Sequence, residues 1–241
     1  MNICITGVSK GLGLSLSQSF VHAGHAVWGV ARTPPASAHL PAERYRSSVV
    51  DVSSPDDVAR WRREMTDAGF VPDVLVLNAS IQDDDLAPAG YDHQLGHRTL
   101  SINLDGALAC VAAFLPDFLK RAAGMFLFVN STVALRPSVR SAAYAASKAG
   151  LAMACRTLRL AYAPRGVRFK MVTLGPLRTA MWEGRESWLV PSPERAAARI
   201  ARFVQEGGDD LYYPALSTAL LRLSLPLPDR WFAAVSAKVL K

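Results

Sequence analysis

Short apolar runs alternate with helical patterns from the first residue of this chain to about residue 213, a rhythm that few folds accommodate. Runs at residues 2–6, 26–31, 48–52, 74–78, 125–130, 168–174 and 211–213 have the length and composition of strands. Helical periodicity fills residues 12–22, 55–68, 93–120, 143–163 and 193–206 between them. Ser54-Pro55 and Ser192-Pro193 each set an N-cap before a proline at the first helical position, marking two helix starts. Near-continuous apolar strands separated by helices predict a parallel sheet covered on both faces. The reading is α/β: one domain over residues 1–241, doubly wound, with a parallel sheet of about seven strands. A short hydrophobic extension occupies about 214–241. In such a fold ligands sit beyond the carboxyl ends of the strands, so the loops there carry the functional question.

Charge and cysteine content remove several classes. The net charge of +7 could suit an anionic partner. The basic residues are scattered, however, over Arg60, Arg62 and Arg63, then Arg156 and Arg159, then Arg195, Arg199 and Arg202. These fall on polar faces of helical stretches, with no basic block interleaved with aromatics, so no nucleic-acid partner is expected. The longest apolar stretches are broken by polar residues or an arginine and fall short of a membrane span. Residues 2–6 already read as a strand entering a turn, so no leader peptide is expected. Cys4, Cys110 and Cys155 lack metal-ligand spacing and read as buried free thiols of a cytoplasmic protein, with no metal site.

The first strand runs into Thr6-Gly7-Val8-Ser9-Lys10-Gly11-Leu12-Gly13 and then a helix. Glycines there let the backbone turn tightly and approach a pyrophosphate, while the helix N-terminus offers free N–H groups and a positive dipole end. Gly7, Ser9, Lys10, Gly11, Leu12 and Gly13 are therefore candidate dinucleotide contacts; the plain alternative is a tight turn. The second strand ends Val30-Ala31-Arg32-Thr33. A carboxylate at that place would hold a ribose 2′-hydroxyl, whereas an arginine accommodates a 2′-phosphate. Arg32, with Lys10 as a second cation, favours NADP(H) over NAD(H); the plain alternative for Arg32 is a solvated loop residue.

Tyr144 and Lys148 stand four apart in a helical stretch, on one face and one turn from each other. A cation beside a phenol favours phenolate and is expected to pull the tyrosine pKa down from about 10 toward working pH. Taken alone the pair would be an ordinary surface feature. Its context is different.

With the glycine loop in front and Tyr144-Ala145-Ala146-Ser147-Lys148 in the middle, the chain resembles the short-chain dehydrogenase/reductase family over nearly its whole length. Asp51-Val52, read as the end of the third strand, matches the pair that holds adenine in that family. Asn78-Ala79-Ser80 matches its N-A-G segment with serine in place of the last glycine. Asn103 matches the family's active-site asparagine, and Ser131, before Tyr144 at the family's spacing, matches its serine. Gly175-Pro176-Leu177-Arg178-Thr179 keeps the glycine and threonine of the segment after the sixth strand, with Leu174 replacing the usual proline.

The resemblance implies a Rossmann-type oxidoreductase that transfers hydride to a carbonyl, with Tyr144 as general acid. Ser131 would bind the same oxygen, Lys148 would tune the phenol and bind the nicotinamide ribose, and Asn103 would hold a water of a proton relay. Asn78, Ala79, Gly175, Leu177 and Thr179 would contact the cofactor. The partner would be a small carbonyl or alcohol substrate, and a homodimer or homotetramer is implied. Two alternatives stay open: an NAD-dependent alcohol dehydrogenase, and a non-catalytic NADP-binding regulator of the same fold.

Substrate choice should rest on residues 133–143 and on the segment after Thr179, where Met181, Trp182 and Trp188 could line an apolar pocket or cover the cofactor. A final helix is expected from an N-cap at Asp229, with Trp231, Val235 and Val239 as an apolar stripe. That stripe would serve packing, a subunit contact, a lipid-like substrate or a membrane surface.

Overall fold

The computed structural model describes residues 1–33, 40–137, 140–178 and 190–232. In chain order come β1 (Asn2–Thr6), α1 (Gly11–His22), β2 (Ala26–Ala31), β3 (Tyr45–Val49), α2 (Pro55–Asp67) and β4 (Val74–Leu77). A small hairpin, β5 (Leu86–Ala87) and β6 (Gly90–Tyr91), leads to α3 (His93–Leu100). A π-helical turn, Ser101–Asp105, joins α3 to α4 (Gly106–Lys120). Then come β7 (Gly124–Ser131), α5 (Ala142–Tyr162), β8 (Val167–Leu174), α6 (Pro193–Gln205), β9 (Asp210–Tyr213) and α7 (Ala215–Leu223).

Seven strands form one parallel sheet in the order β3-β2-β1-β4-β7-β8-β9. The chain winds outward from β1 in one direction and from β4 in the other, so a crevice opens between the carboxyl ends of those two strands. Each face of the sheet has its own core. Leu16 and Phe20 of α1 pack with Ile200 and Phe203 of α6 on one side. On the other, Trp61 of α2, Phe114 and Phe118 of α4 and Cys155 of α5 surround Phe126 and Phe169. The Phe126 and Phe169 rings stack at 5.1 Å and Trp61 meets Phe114 edge-on at 5.0 Å. Each such fully buried side chain contributes roughly 1.5–3 kcal/mol by leaving water. Two predicted caps form, Ser54 Oγ accepting from Asp57 N and Ser192 Oγ from Arg195 N.

Four expectations need correction. The third strand runs Tyr45–Val49, so Asp51 and Val52 lie beyond its end. It pairs residue for residue with β2 from Tyr45 opposite Val27 to Val49 opposite Ala31, and as a sheet edge it is largely exposed. An edge strand need not be apolar, which is why hydrophobicity alone misplaces it. The stretch 93–120 is a single helical rod of 28 residues, long and apolar enough by composition to cross a membrane. Its apolar side, with Cys110, Val111, Phe114 and Phe118, is buried against the sheet, so it serves the core. The hairpin and α7 were not anticipated. The expected last helix does open here, but Asp229 is its first residue and not its cap; its carboxylate is ion-paired with Arg136 at 2.7 Å, and Trp231 is exposed. Val235 and Val239 lie outside the described residues.

Candidate active site

The glycine loop is built from both sides of the crevice. Gly7 and Gly11 adopt positive φ of 76° and 58°, a region that favours glycine. A Cβ on Gly13 would overlap the Gly7 carbonyl, so a side chain there would push α1 off β1. From β4, Asn78 Nδ2 donates to Thr6 O at 3.0 Å and Gly7 O at 3.1 Å. The Thr6 hydroxyl accepts from Asn78 N and Ala79 N, both at 3.0 Å. Asn78 and Ala79 thus fasten the loop from behind, and Thr6 is a structural partner that motif reading passed over. Lys10 is exposed at the N-cap of α1 and makes no side-chain cap, so the chain leaves the first amides of that helix uncapped. Bare backbone, uncapped amides and an exposed cation suit a phosphate group.

Arg32 is exposed just after β2. The Asp51 carboxylate accepts from Ser53 N and Ser53 Oγ at 2.9 and 2.6 Å, and Val52 is buried in the core facing Gly106. Gly175 N donates to Tyr213 O, and Leu177 packs on the α1–α6 side of the core. Thr179 lies outside the described residues, as do Met181, Trp182 and Trp188.

Ser131, Tyr144, Lys148 and Asn103 come together at the carboxyl ends of β4 and β7. Ser131 closes β7, while Tyr144 occupies the first turn of α5 and Lys148 the second. Lys148 Nζ stands 5.7 Å from the centre of the Tyr144 ring and donates to Val129 O at 3.3 Å. Asn103 lies in the π-helical turn, where the wider winding turns its side chain toward the loop after β4. Its Oδ1 accepts from Ile81 N and its Nδ2 donates to Ile81 O, each at 2.8 Å. The same Nδ2 donates to Ser147 Oγ at 3.2 Å, and Ser147 donates to Tyr144 O at 2.7 Å.

The electrostatics reverse one expectation. Burial pushes the Tyr144 phenol above its ordinary value, and a hydrogen bond from Ser131 pulls only partly the other way. Burial likewise pushes the Lys148 ammonium down to about 8. Desolvation disfavours both charged forms, and burial is the largest cause of each shift. The phenol is therefore held protonated at neutral pH.

Two further sets of contacts lie past the ends of β7 and β8. Arg136, five residues after Ser131, is buried and donates to Leu227 O at 3.0 Å, to Asp229 Oδ1 at 2.7 Å and to Ser224 O. Its guanidinium also lies over the Phe232 ring at 4.7 Å. At the other end Pro214, Ser217 and Thr218 crowd Gly175. The C-terminal segment is thus tied to the loops that follow both β7 and β8.

Known proteins resemble this chain in sequence and in fold. A family model described as short chain dehydrogenase matches residues 1–189. The chain is 30% identical over 220 residues to human 17-beta-hydroxysteroid dehydrogenase type 1, covering 82% of this chain and 62% of that one. The chain therefore spans under two-thirds of that relative's length. It is 30% identical over 247 residues to an uncharacterized oxidoreductase of Mycobacterium tuberculosis, covering 95% of this chain and 94% of that one. A short-chain dehydrogenase from Burkholderia cenocepacia, solved in complex with NADP, superposes with a TM-score of 0.80 at 23% identity, covering 100% and 97% of the two chains. The family match over most of the chain, on a Rossmann-type sheet, places this protein in the short-chain dehydrogenase/reductase family.

Proposed function

We propose that this chain is an NADPH-dependent oxidoreductase that reduces a ketone or aldehyde to an alcohol. The observation that carries the reading is geometric: Tyr144 is buried in the first turn of α5 with Lys148 Nζ 5.7 Å from its ring, and Ser131 stands beside it at the end of β7. Gly7, Ser9, Lys10, Gly11, Leu12 and Gly13 would hold the cofactor's pyrophosphate, and Arg32 with Lys10 its 2′-phosphate. Asp51 and Val52 would meet the adenine. Asn78, Ala79, Gly175, Leu177 and Thr179 would border the remainder, and Tyr144 and Lys148 the nicotinamide ribose. When bound, the nicotinamide supplies a hydride for the carbonyl carbon.

The protein's part is the proton and the charge. Tyr144 donates its proton to the carbonyl oxygen as negative charge grows there, and Ser131 donates a hydrogen bond to the same oxygen. A raised phenol pKa suits this direction, because the acid arrives protonated. Lys148, near 8, is poised to return a proton to the phenolate and recover one from water. Asn103 holds the loop after β4 against α5, keeping Tyr144 in register with Ser131.

The test is loss of NADPH absorbance with the purified protein across ketones, aldehydes, ketoacyl thioesters and, because one relative is a hydroxysteroid dehydrogenase, a 17-ketosteroid. Turnover on at least one of them, faster with NADPH than with NADH, is expected. Firm NADPH binding with no turnover on any would overturn the reading in favour of a regulator.

A further inference from the structure

Asp85, in the loop between β4 and the small hairpin, carries a carboxylate with no exposure to solvent. Its oxygens face the first turn of α5. Oδ1 accepts from Ala142 N at 2.8 Å, and Oδ2 accepts from Ala143 N at 2.8 Å and from the Ser141 hydroxyl at 3.1 Å. The Ser141 oxygen in turn accepts from Tyr144 N at 3.0 Å. The first three amides of the helix are thus taken up by one carboxylate and one hydroxyl, and the third of them belongs to Tyr144.

The other end of this loop is held as firmly. Ile81 is gripped through its N–H and its carbonyl by Asn103, and Asn103 reaches Tyr144 O through Ser147. Residues 81–85 therefore brace Tyr144 from both sides of its backbone, Asp85 through its amide and Ile81 through its carbonyl. Capping alone does not call for a buried carboxylate from another segment: α2 and α6 start on the adjoining Ser54 and Ser192, α3 on the adjoining Asp92, and α5 already has Ser141. A buried carboxylate is costly to keep unless fully bonded, and among the described residues this one is bonded only to the turn that carries the phenol.

We propose that Asp85 is a positioning residue of the reduction, fixing the first turn of α5 so that the Tyr144 phenol stays against Ser131 and beside Lys148. The inference rests on the proposed function. In Asp85→Asn the amide NH₂ must face one of the two N–H groups, donor against donor, and the turn is released. A displacement of reacting groups on the order of 1 Å costs up to about a hundredfold in rate.

The experiment compares Asp85→Asn, the milder Ser141→Ala, and Asp92→Asn. Asp92 caps α3 through Oδ1, which accepts from Gln94 N and Leu95 N, while its backbone N–H donates to Asp85 O and is kept in the variant. Each protein is assayed for kcat and KM on whichever carbonyl the wild type reduces, and for NADPH affinity. Asp85→Asn should lose about 10- to 100-fold in kcat, and Ser141→Ala less, with NADPH affinity within about twofold of wild type. Asp92→Asn, whose Oδ1 still accepts from both helix amides, should keep its thermal stability and its kcat. Wild-type kcat in both Asp85→Asn and Ser141→Ala, or an equal kcat loss in Asp92→Asn, would overturn the proposal.

Ultraviolet titration of the Tyr144 phenol, taken as the difference from a Tyr144→Phe partner protein, gives a second reading that needs no substrate. Lys148 Nζ stands 5.7 Å from the ring that carries the phenol, and the Asp85 carboxylate meets the amide of the preceding residue, Ala143. On elements packed against α5, His93, His97, Arg98, Asp105 and Arg168 are exposed, and Lys170 is bound to Phe203 O and Glu206 O. Burial is what raises the phenol, so release of the turn and loss of that burial move the titration to lower pH. An unmoved titration in Asp85→Asn would refute the brace. A wild type that binds NADPH and reduces nothing refutes the proposed function instead, and the titration then decides on Asp85.

Discussion

Lys148→Met should make the protein more stable at neutral pH while removing a group the proposed reaction needs. Lys148 is buried, and burial brings its ammonium from 10.5 down to about 8. Below pH 8 folded and unfolded chains both hold the proton, and the folded state bears the whole cost of a buried charge. Between 8 and 10.5 the unfolded chain holds a proton that the folded chain has released, so wild-type stability gains from this group as pH rises. Above 10.5 the cost is gone. At about 1.4 kcal/mol per pH unit, that gap corresponds to on the order of 3 kcal/mol at pH 7. Methionine keeps the apolar reach but leaves the Val129 carbonyl without its donor, giving back about 1 kcal/mol. Lys148→Met should therefore exceed wild type by about 2 kcal/mol at pH 7 and fall about 1 kcal/mol below it near pH 11. Urea denaturation followed by circular dichroism at the two pH values measures both differences. A difference of the same sign and size at both would refute the reasoning, since the cost would then not be ionic.

Gly13→Ala should lower the melting temperature and weaken NADPH binding together, because its Cβ would overlap the Gly7 carbonyl; fluorescence titration and a thermal melt read the pair. Arg32→Ala should weaken NADPH about tenfold or more and leave NADH nearly unchanged, as a charge-assisted contact to one phosphate is worth roughly 1.5–3 kcal/mol. Equal losses for both cofactors would remove Arg32 from the argument. Arg136→Ala should free the segment from Ser224 to Phe232, seen as faster proteolysis there with NADPH affinity intact. Unchanged cleavage would mean that α7 alone holds the segment.

Much of the sheet was legible because a strand buried on both faces must be apolar almost throughout. β1, β2, β4, β7 and β8 obey that rule, and β3 does not, since an edge strand with exposed positions tolerates Arg46 and Ser47. The site residues on motifs were legible for a related reason: Gly7, Gly11 and Gly13 answer to backbone geometry, and Ser131, Tyr144 and Lys148 to a spacing between strand end and helix. Asp85 was not. In Asp83-Asp84-Asp85 three acids in a row look like a solvated loop, and only the docking of that loop on α5 distinguishes the buried one. The direction of the Tyr144 shift was misjudged because spacing reports proximity to Lys148, while burial, which decides the sign, is a property of the packed structure.

The central claim is that Tyr144 is the proton donor, and Tyr144→Phe tests it most directly. The phenyl ring keeps the packing and removes only the hydroxyl bound to Ser131. NADPH affinity should stay within about threefold of wild type while kcat falls by about 10² to 10⁴ on the best carbonyl substrate. Reduction at the wild-type rate by Tyr144→Phe would contradict the account.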